Sequence, residues 1–183
     1  MDRGIPLLLR AAENAVILNE RESEMSAFIN LGNAYRRKGD LDKALDYHLK
    51  AYEIDREIKD KDSEAAILVN IGNVYHDKKD FKNALHYHQT GLDKAIQKGN
   101  SIEEANALVL RASDYLATGK IIAALKSNWS ALKLARKIRA KPIEGEALAL
   151  FGYVFKAFGL GIITRTKYFR QSDELFNNRR TGN

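Results

Sequence analysis

Two pairs of asparagines recur forty residues apart in this chain, Asn30 with Asn33 and Asn70 with Asn73. A spacing of three puts both amides of a pair on one side of a helix. A carboxamide carries N–H donors and an oxygen acceptor, so it can pair with both polar groups of a peptide backbone. Two such pairs on successive repeats form a ladder that holds an extended peptide without reading its side chains. Asparagine forms helices poorly, so four at matched positions call for a reason; the competing one is that they bridge adjacent helices. His48 and His88 share a repeat position beside Tyr47 and Tyr87, which marks packing histidines. His86 and His88 form an H-x-H whose rings point to different sides of a helix, so no metal site is predicted. No HExxH, P-loop or GxGxxG string occurs. The carboxylates are scattered, and nothing marks a Ser-His-Asp triad. No catalytic residue, metal or cofactor is expected, and the chain reads as a non-enzyme.

The asparagines are positioned by a repeat. Leu31-Gly32-Asn33-Ala34-Tyr35 returns as Ile71-Gly72-Asn73-Val74-Tyr75, and Ala44-Leu45-x-Tyr47-His48 as Ala84-Leu85-x-Tyr87-His88. Ala112, Tyr115, Gly119 and Ala124 continue the frame, followed by Phe151, Gly152, Phe155 and Gly159. A fixed period of this size means stacked supersecondary units. Apolar residues at i, i+3 and i+7, such as Phe28, Leu31 and Tyr35, make those units helical. The predicted fold class is all-α, a solenoid of four helix pairs preceded by one helix at 5–19. First helices are expected at 24–38, 64–78, 103–118 and 143–158, and second helices at 41–59, 81–98, 121–138 and 162–177. This gives repeats at 24–59, 64–98 and 103–138, a degenerate fourth at 143–177, and a basic tail at 178–183, all in one array over 1–183. Residues 5–19 serve either as the second helix of a partial repeat or as a cap, with Leu8, Ala11 and Ala15 on the buried side.

Lys38-Gly39-Asp40, Lys78-Lys79-Asp80 and Thr118-Gly119-Lys120 mark turns inside the units, where Gly suits a left-handed helix end and Asp40 or Asp80 can cap the next helix. Ser101 with Glu104 has capping-box spacing, and Pro142 stands where a helix begins. Gly32, Gly72, Ala112 and Gly152 share one position. Glycine inside a helix costs about 1 kcal/mol against alanine, so its recurrence predicts a close approach of the second helix, met by Ala44, Ala84 and Ala124. Tyr35, Tyr75, Tyr115 and Phe155 are expected to fill the space between units.

These residues resemble the tetratricopeptide repeat, whose pattern is W-x2-L-G-x2-Y…A-x3-F. Unit one reads Phe28-x2-Leu31-Gly32-x2-Tyr35…Ala44-x3-His48, and unit two Leu68-x2-Ile71-Gly72-x2-Tyr75…Ala84-x3-His88; the likeness covers about 24–158. The forty-residue period and the Leu-Gly-Asn-Ala-Tyr string are most similar to a subgroup holding Pins-type adaptors, kinesin light chains and bacterial peptide-sensing regulators. The resemblance implies a right-handed superhelix whose first helices line a concave groove that binds a peptide or helical segment of a partner protein. Carried onto this chain, the groove residues are Asn30, Asn33, Arg36 and Arg37 in unit one and Asn70, Asn73 and His76 in unit two. Units three and four add Asn106 and Ser113, then Tyr153. The family's carboxylate clamp is not expected, because Ile29 stands where it needs a lysine.

Composition bounds the rest. There is no cysteine, hence no disulfide or thiolate metal site. Pro6-Leu7-Leu8-Leu9 is too short for a secretory core, and nothing approaches a membrane span, so a cytoplasmic protein without a membrane partner is predicted. The net charge of +6 is uneven: residues 1–100 hold 16 Lys and Arg against 17 Asp and Glu, and 101–183 hold 14 against 7. Arg165, Lys167, Arg170, Arg179 and Arg180 contribute to that excess. An acidic partner or nucleic acid at the C-terminal end is the alternative binding mode. Apolar pairs recurring about every seven residues over 162–177 suit a terminal cap or a homodimer contact.

Overall fold

The computed structural model of the 183-residue chain describes residues 4–58 and 63–157. They form eight α-helices and no strand: α1 (Gly4–Ile17), α2 (Arg21–Lys38), α3 (Leu41–Ile58), α4 (Glu64–Asp77), α5 (Phe81–Lys98), α6 (Ser101–Ala117), α7 (Ile121–Lys137) and α8 (Lys141–Ala157). The helix expected at 162–177, with its cap or dimer contact, lies outside the described residues. So do the basic residues from Arg165 to Arg180 and the tail at 178–183.

Two compact units divide the chain, residues 1–94 and 95–183. In the first, α2 packs on α1 and α3, α3 packs on α4, and α2 touches α4 directly. In the second, α7 packs between α6 and α8, and α6 touches α8. First helices therefore lie beside first helices in each unit. Leu31, Ile67, Leu68 and Ile71 are wholly buried in unit one, and Leu132, Leu148 and Val154 in unit two. Each such side chain contributes about 1.5–3 kcal/mol on leaving water. The buried side of α1 is Ala12 and Ala15 with Leu8 half-buried. Ala11 is exposed, because α1 is rotated so that Ala12 rather than Ala11 joins the cluster with Ala27 and Leu31.

Turn chemistry follows the forty-residue frame. Gly39, Lys79 and Gly119 all take the left-handed backbone, with φ of 87°, 62° and 74°. Lys79 bears there a Cβ strain of roughly 1 kcal/mol. Asp40 Oδ1 accepts from the Lys43 N–H and Asp80 Oδ1 from the Asn83 N–H, both at 3.2 Å, so both aspartates cap as their positions predict. Ser101 does not cap α6. Gly99 ends α5 with φ 71°, leaving Asn100 at the cap, where its Oδ1 accepts from Ile102 N and Glu103 N at 3.2 Å; Ser101 is the first residue of the helix.

The recurring glycines face histidine rings. A Cβ built on Gly32 would sit 2.5–2.7 Å from three atoms of the His48 imidazole, and one on Gly72 would sit 2.4 Å from His88 Cδ2. Both rings are completely buried. They occupy the space a Cβ would need and so set the spacing of each pair, α2 with α3 and α4 with α5. In α6 and α7 the same positions hold Ala112 and Asn128. Tyr35 stacks on Tyr47 at 5.5 Å and Tyr75 on Tyr87 at 5.4 Å, nearly parallel. These tyrosines thus close their own helix pair as well as reaching the neighbour, since Tyr35 also joins the cluster containing Val74.

Candidate functional site

The first-helix side of unit one is built by α2 and α4. Leu31, Gly32 and Tyr35 turn inward on α2, and Leu68, Ile71 and Gly72 on α4, which leaves the asparagines on the remaining face. Asn30 is exposed, and Asn33, Asn70 and Asn73 are half-buried. Among the described residues none of these four amides takes part in a side-chain hydrogen bond, so bridging of helices does not account for them. Asn30 also lines a cleft of about 470 Å³ with Leu8 and Ala11 of α1 and Ser23, Ser26 and Ala27 of α2.

The charged members of the set are arranged differently. Arg36 Nε donates to Asp77 Oδ2 at 2.6 Å, tying α2 to the end of α4. Its charge is therefore matched inside the protein. Arg37 is exposed. His76 is half-buried and meets the Phe81 ring edge-on at 5.3 Å. In unit two, Asn106 and Ser113 are half-buried on α6, and Tyr153 on the adjoining α8 is 60% exposed. Seven of the chosen residues thus lie in the compact unit of residues 1–94 and three in that of residues 95–183. Sequence reasoning missed the Arg36–Asp77 pair, because contacts between side chains 41 positions apart leave no local pattern.

His48 and His88 are packing residues, both completely buried. His48 has neither ring nitrogen hydrogen-bonded, and burial, aided by the Arg36 charge, pushes its pKa from about 6.5 down to about 4. His86 is exposed whereas His88 is buried, so the H-x-H splits across the helix. Among the described residues no three His, Cys, Asp or Glu are placed to hold a metal ion, and no helix is long and apolar enough to cross a membrane.

Among the described residues, eight helices with small residues recurring at Gly32, Gly72 and Ala112 and at Ala44, Ala84 and Ala124 define an all-α fold of the tetratricopeptide solenoid class. Residues 23–97 match the tetratricopeptide repeat family. No curated protein sequence matches the chain. Among solved structures it is similar to BtubC from P. vanneervenii, with TM-score 0.81 and 15% identity over 97% of this chain and 74% of that one. It also resembles a STAND signal-transduction ATPase with a tetratricopeptide repeat sensor from Pyrococcus horikoshii. There the TM-score is 0.76 and the identity 15%, over 96% of this chain and 27% of that one. A putative kinesin light chain of Podosopora anserina with TPR-like repeats aligns at TM-score 0.64 and 14% identity, over 96% and 94%. At these identities the likeness is one of fold. That fold is a general protein-interaction scaffold, and its family is generally non-enzymatic.

Proposed function

We propose that the chain binds an extended peptide or helical segment of a partner protein on its first-helix faces, with Asn30, Asn33, Asn70 and Asn73 as the backbone-pairing ladder. The observation that carries this reading is the state of the four amides. They stand on adjoining helices with donors and acceptors that no side chain of the described residues satisfies. An unused amide on a helix surface is neutral in water, but against a peptide it can make two bonds of about 0.5–1.5 kcal/mol each. Arg37 and His76 would contact the ligand's side chains beside the ladder, whereas Arg36, already held by Asp77, would position rather than attract; Asn106, Ser113 and Tyr153 would offer a contact face of their own in the second compact unit.

The test is a pull-down from source-cell lysate with mass spectrometry, comparing wild type with Asn33→Ala/Asn73→Ala. Both positions are half-buried and lie outside the packed core, so circular dichroism should be unchanged. Partners retained by wild type and lost by the double variant support the ladder. Equal retention by both refutes it.

A further inference from the structure

The solvent-facing side of α7 differs in charge from the matching face of α3. Its exposed residues are Ile122, Lys126, Trp129, Ser130 and Lys133, with Arg136 and Lys137 at the end. At 100° per residue they fall along one stripe. The helix contains no acidic residue. Arg136 Nε is held by Glu144 Oε1 at 2.9 Å, while Lys126, Lys133 and Lys137 have no ion-pair partner among the described residues. Between them stand two large apolar side chains, Ile122 at 72% exposure and Trp129 at 57%. They are seven residues apart, about 10 Å along the axis.

The repeat supplies its own control. The positions of Ile122, Lys126, Lys133 and Lys137 are those of Asp42, Asp46, Glu53 and Glu57 in α3. There the carboxylates are part of a mixed, self-neutralised surface: Asp46 pairs with Lys50 at 2.8 Å, Asp42 with Lys78 and Glu57 with Arg21. The same backbone frame therefore folds with the opposite charge, so the lysines of α7 are not required by the fold. The stripe is also held rigidly. Ser127 Oγ donates to the Leu108 carbonyl and Asn128 Nδ2 to the Ala147 carbonyl, each at 2.8 Å, fastening α7 to α6 and α8. Phe151 meets the Trp129 ring edge-on at 6.2 Å and fixes it from one side.

We propose that this side of α7 is a second docking surface, whose occupant is an acidic amphipathic helical segment of a partner protein. Apolar residues two turns apart on that segment would seat against Ile122 and Trp129, with carboxylates facing Lys126, Lys133 and Lys137. Two apolar side chains match the narrow stripe of one helix and are too few for a lipid surface. Phosphate backbones are best gripped by arginine forks, and the one arginine on the stripe is engaged by Glu144. Docking of a second copy through α3 is disfavoured, because three of its four matching carboxylates, Asp42, Asp46 and Glu57, are already paired. This surface does not depend on the asparagine ladder.

Trp129 is the chain's single tryptophan, so its emission reports this surface alone. The probe is a synthetic helical peptide of about five turns, with leucines two turns apart and glutamates flanking them. The comparison probes are a scrambled peptide that breaks the leucine stripe, phosphatidylserine vesicles and a single-stranded oligonucleotide. The expected result is a saturable blue shift with the striped peptide, weakening as salt rises. Lys126→Glu/Lys133→Glu should raise the apparent Kd at least about tenfold, and Ile122→Ser should weaken binding while keeping the reporter. Asn33→Ala/Asn73→Ala should bind the peptide as wild type does. The proposal is overturned by absence of a saturable shift, an equal response to the scrambled peptide, tighter binding of vesicles or oligonucleotide, or unchanged affinity in the lysine variant with circular dichroism intact.

Discussion

Replacing Gly72 by alanine sets two opposed effects against each other, and the structure decides the sign. On helix propensity alone, alanine gains about 1 kcal/mol in a helix interior. Its methyl would, however, lie 2.4 Å from His88 Cδ2, 2.6 Å from Nε2 and 3.0 Å from Cγ. Contact that reaches Cγ cannot be relieved by swinging the ring tip, and His88 is wholly buried. Overpacking of this kind costs about 1–3 kcal/mol, and the atoms involved place the clash toward the upper end. The net expectation is a loss of about 1–2 kcal/mol, or roughly 3–6 °C in Tm for a chain of this length. The assay is thermal and urea unfolding followed by circular dichroism, run as a cycle with His88→Ala. Once the ring is gone the clash term vanishes, and Gly72→Ala in the His88→Ala background should stabilise by about 1 kcal/mol. The sign must reverse between backgrounds, with a coupling of about 2–3 kcal/mol. If Gly72→Ala stabilises both proteins, or destabilises both equally, the ring does not set the helix spacing and the reasoning fails.

Three further outcomes are expected. Lys79→Gly should raise stability by about 1 kcal/mol in urea unfolding, because it removes a Cβ from a left-handed turn where Gly39 and Gly119 serve in the sister repeats. Asn100→Ala should cost about 1 kcal/mol by uncapping α6, whereas Ser101→Ala should be nearly silent; equal costs would return the cap to Ser101. For His48 the folded pKa of about 4 lies below the unfolded value near 6.5, so the unfolded chain takes up the proton first. Stability is then full above about pH 6.5 and falls as the pH drops through 4, by up to roughly 3 kcal/mol. His48→Asn should flatten that limb of a pH–Tm profile, and an unchanged slope would show that His48 is not its source.

The helix ends and crossings were legible because they depend on short-range chemistry. Asp40 and Asp80 cap from a position two places into each turn, and the glycines announce a close neighbour whatever that neighbour is. Three features were not legible. Asn100 and Ser101 are both good caps, and only the left-handed Gly99 selects between them. Tyr35 and Tyr75 recur so regularly that they read as spacers between units, yet their stacking on Tyr47 and Tyr87 depends on how two helices roll against each other. Arg36 reads as a ligand-attracting charge until Asp77 is brought beside it. For the asparagine ladder, the helical periodicity showed that the amides share a side. That no side chain of the described residues engages them is a three-dimensional fact. The α7 stripe was present in the sequence as a charge inversion against α3, but only alignment of the outward positions exposes it.

The ring-on-glycine contact also determines how such an array can be copied and recombined. A second helix carrying His48 or His88 fits only a first helix with glycine opposite, and the third pair has changed both members, to Ala112 and Asn128. Exchanging α7 for α5 would press an imidazole against a methyl, and the reverse exchange would leave a gap above Gly72. Viable duplications and chimaeras must therefore carry the two helices of a pair together, with breakpoints in the links near residues 59–63, 99–100 and 138–140. The turns at 39–40, 79–80 and 118–120, which fall inside a pair, are forbidden junctions.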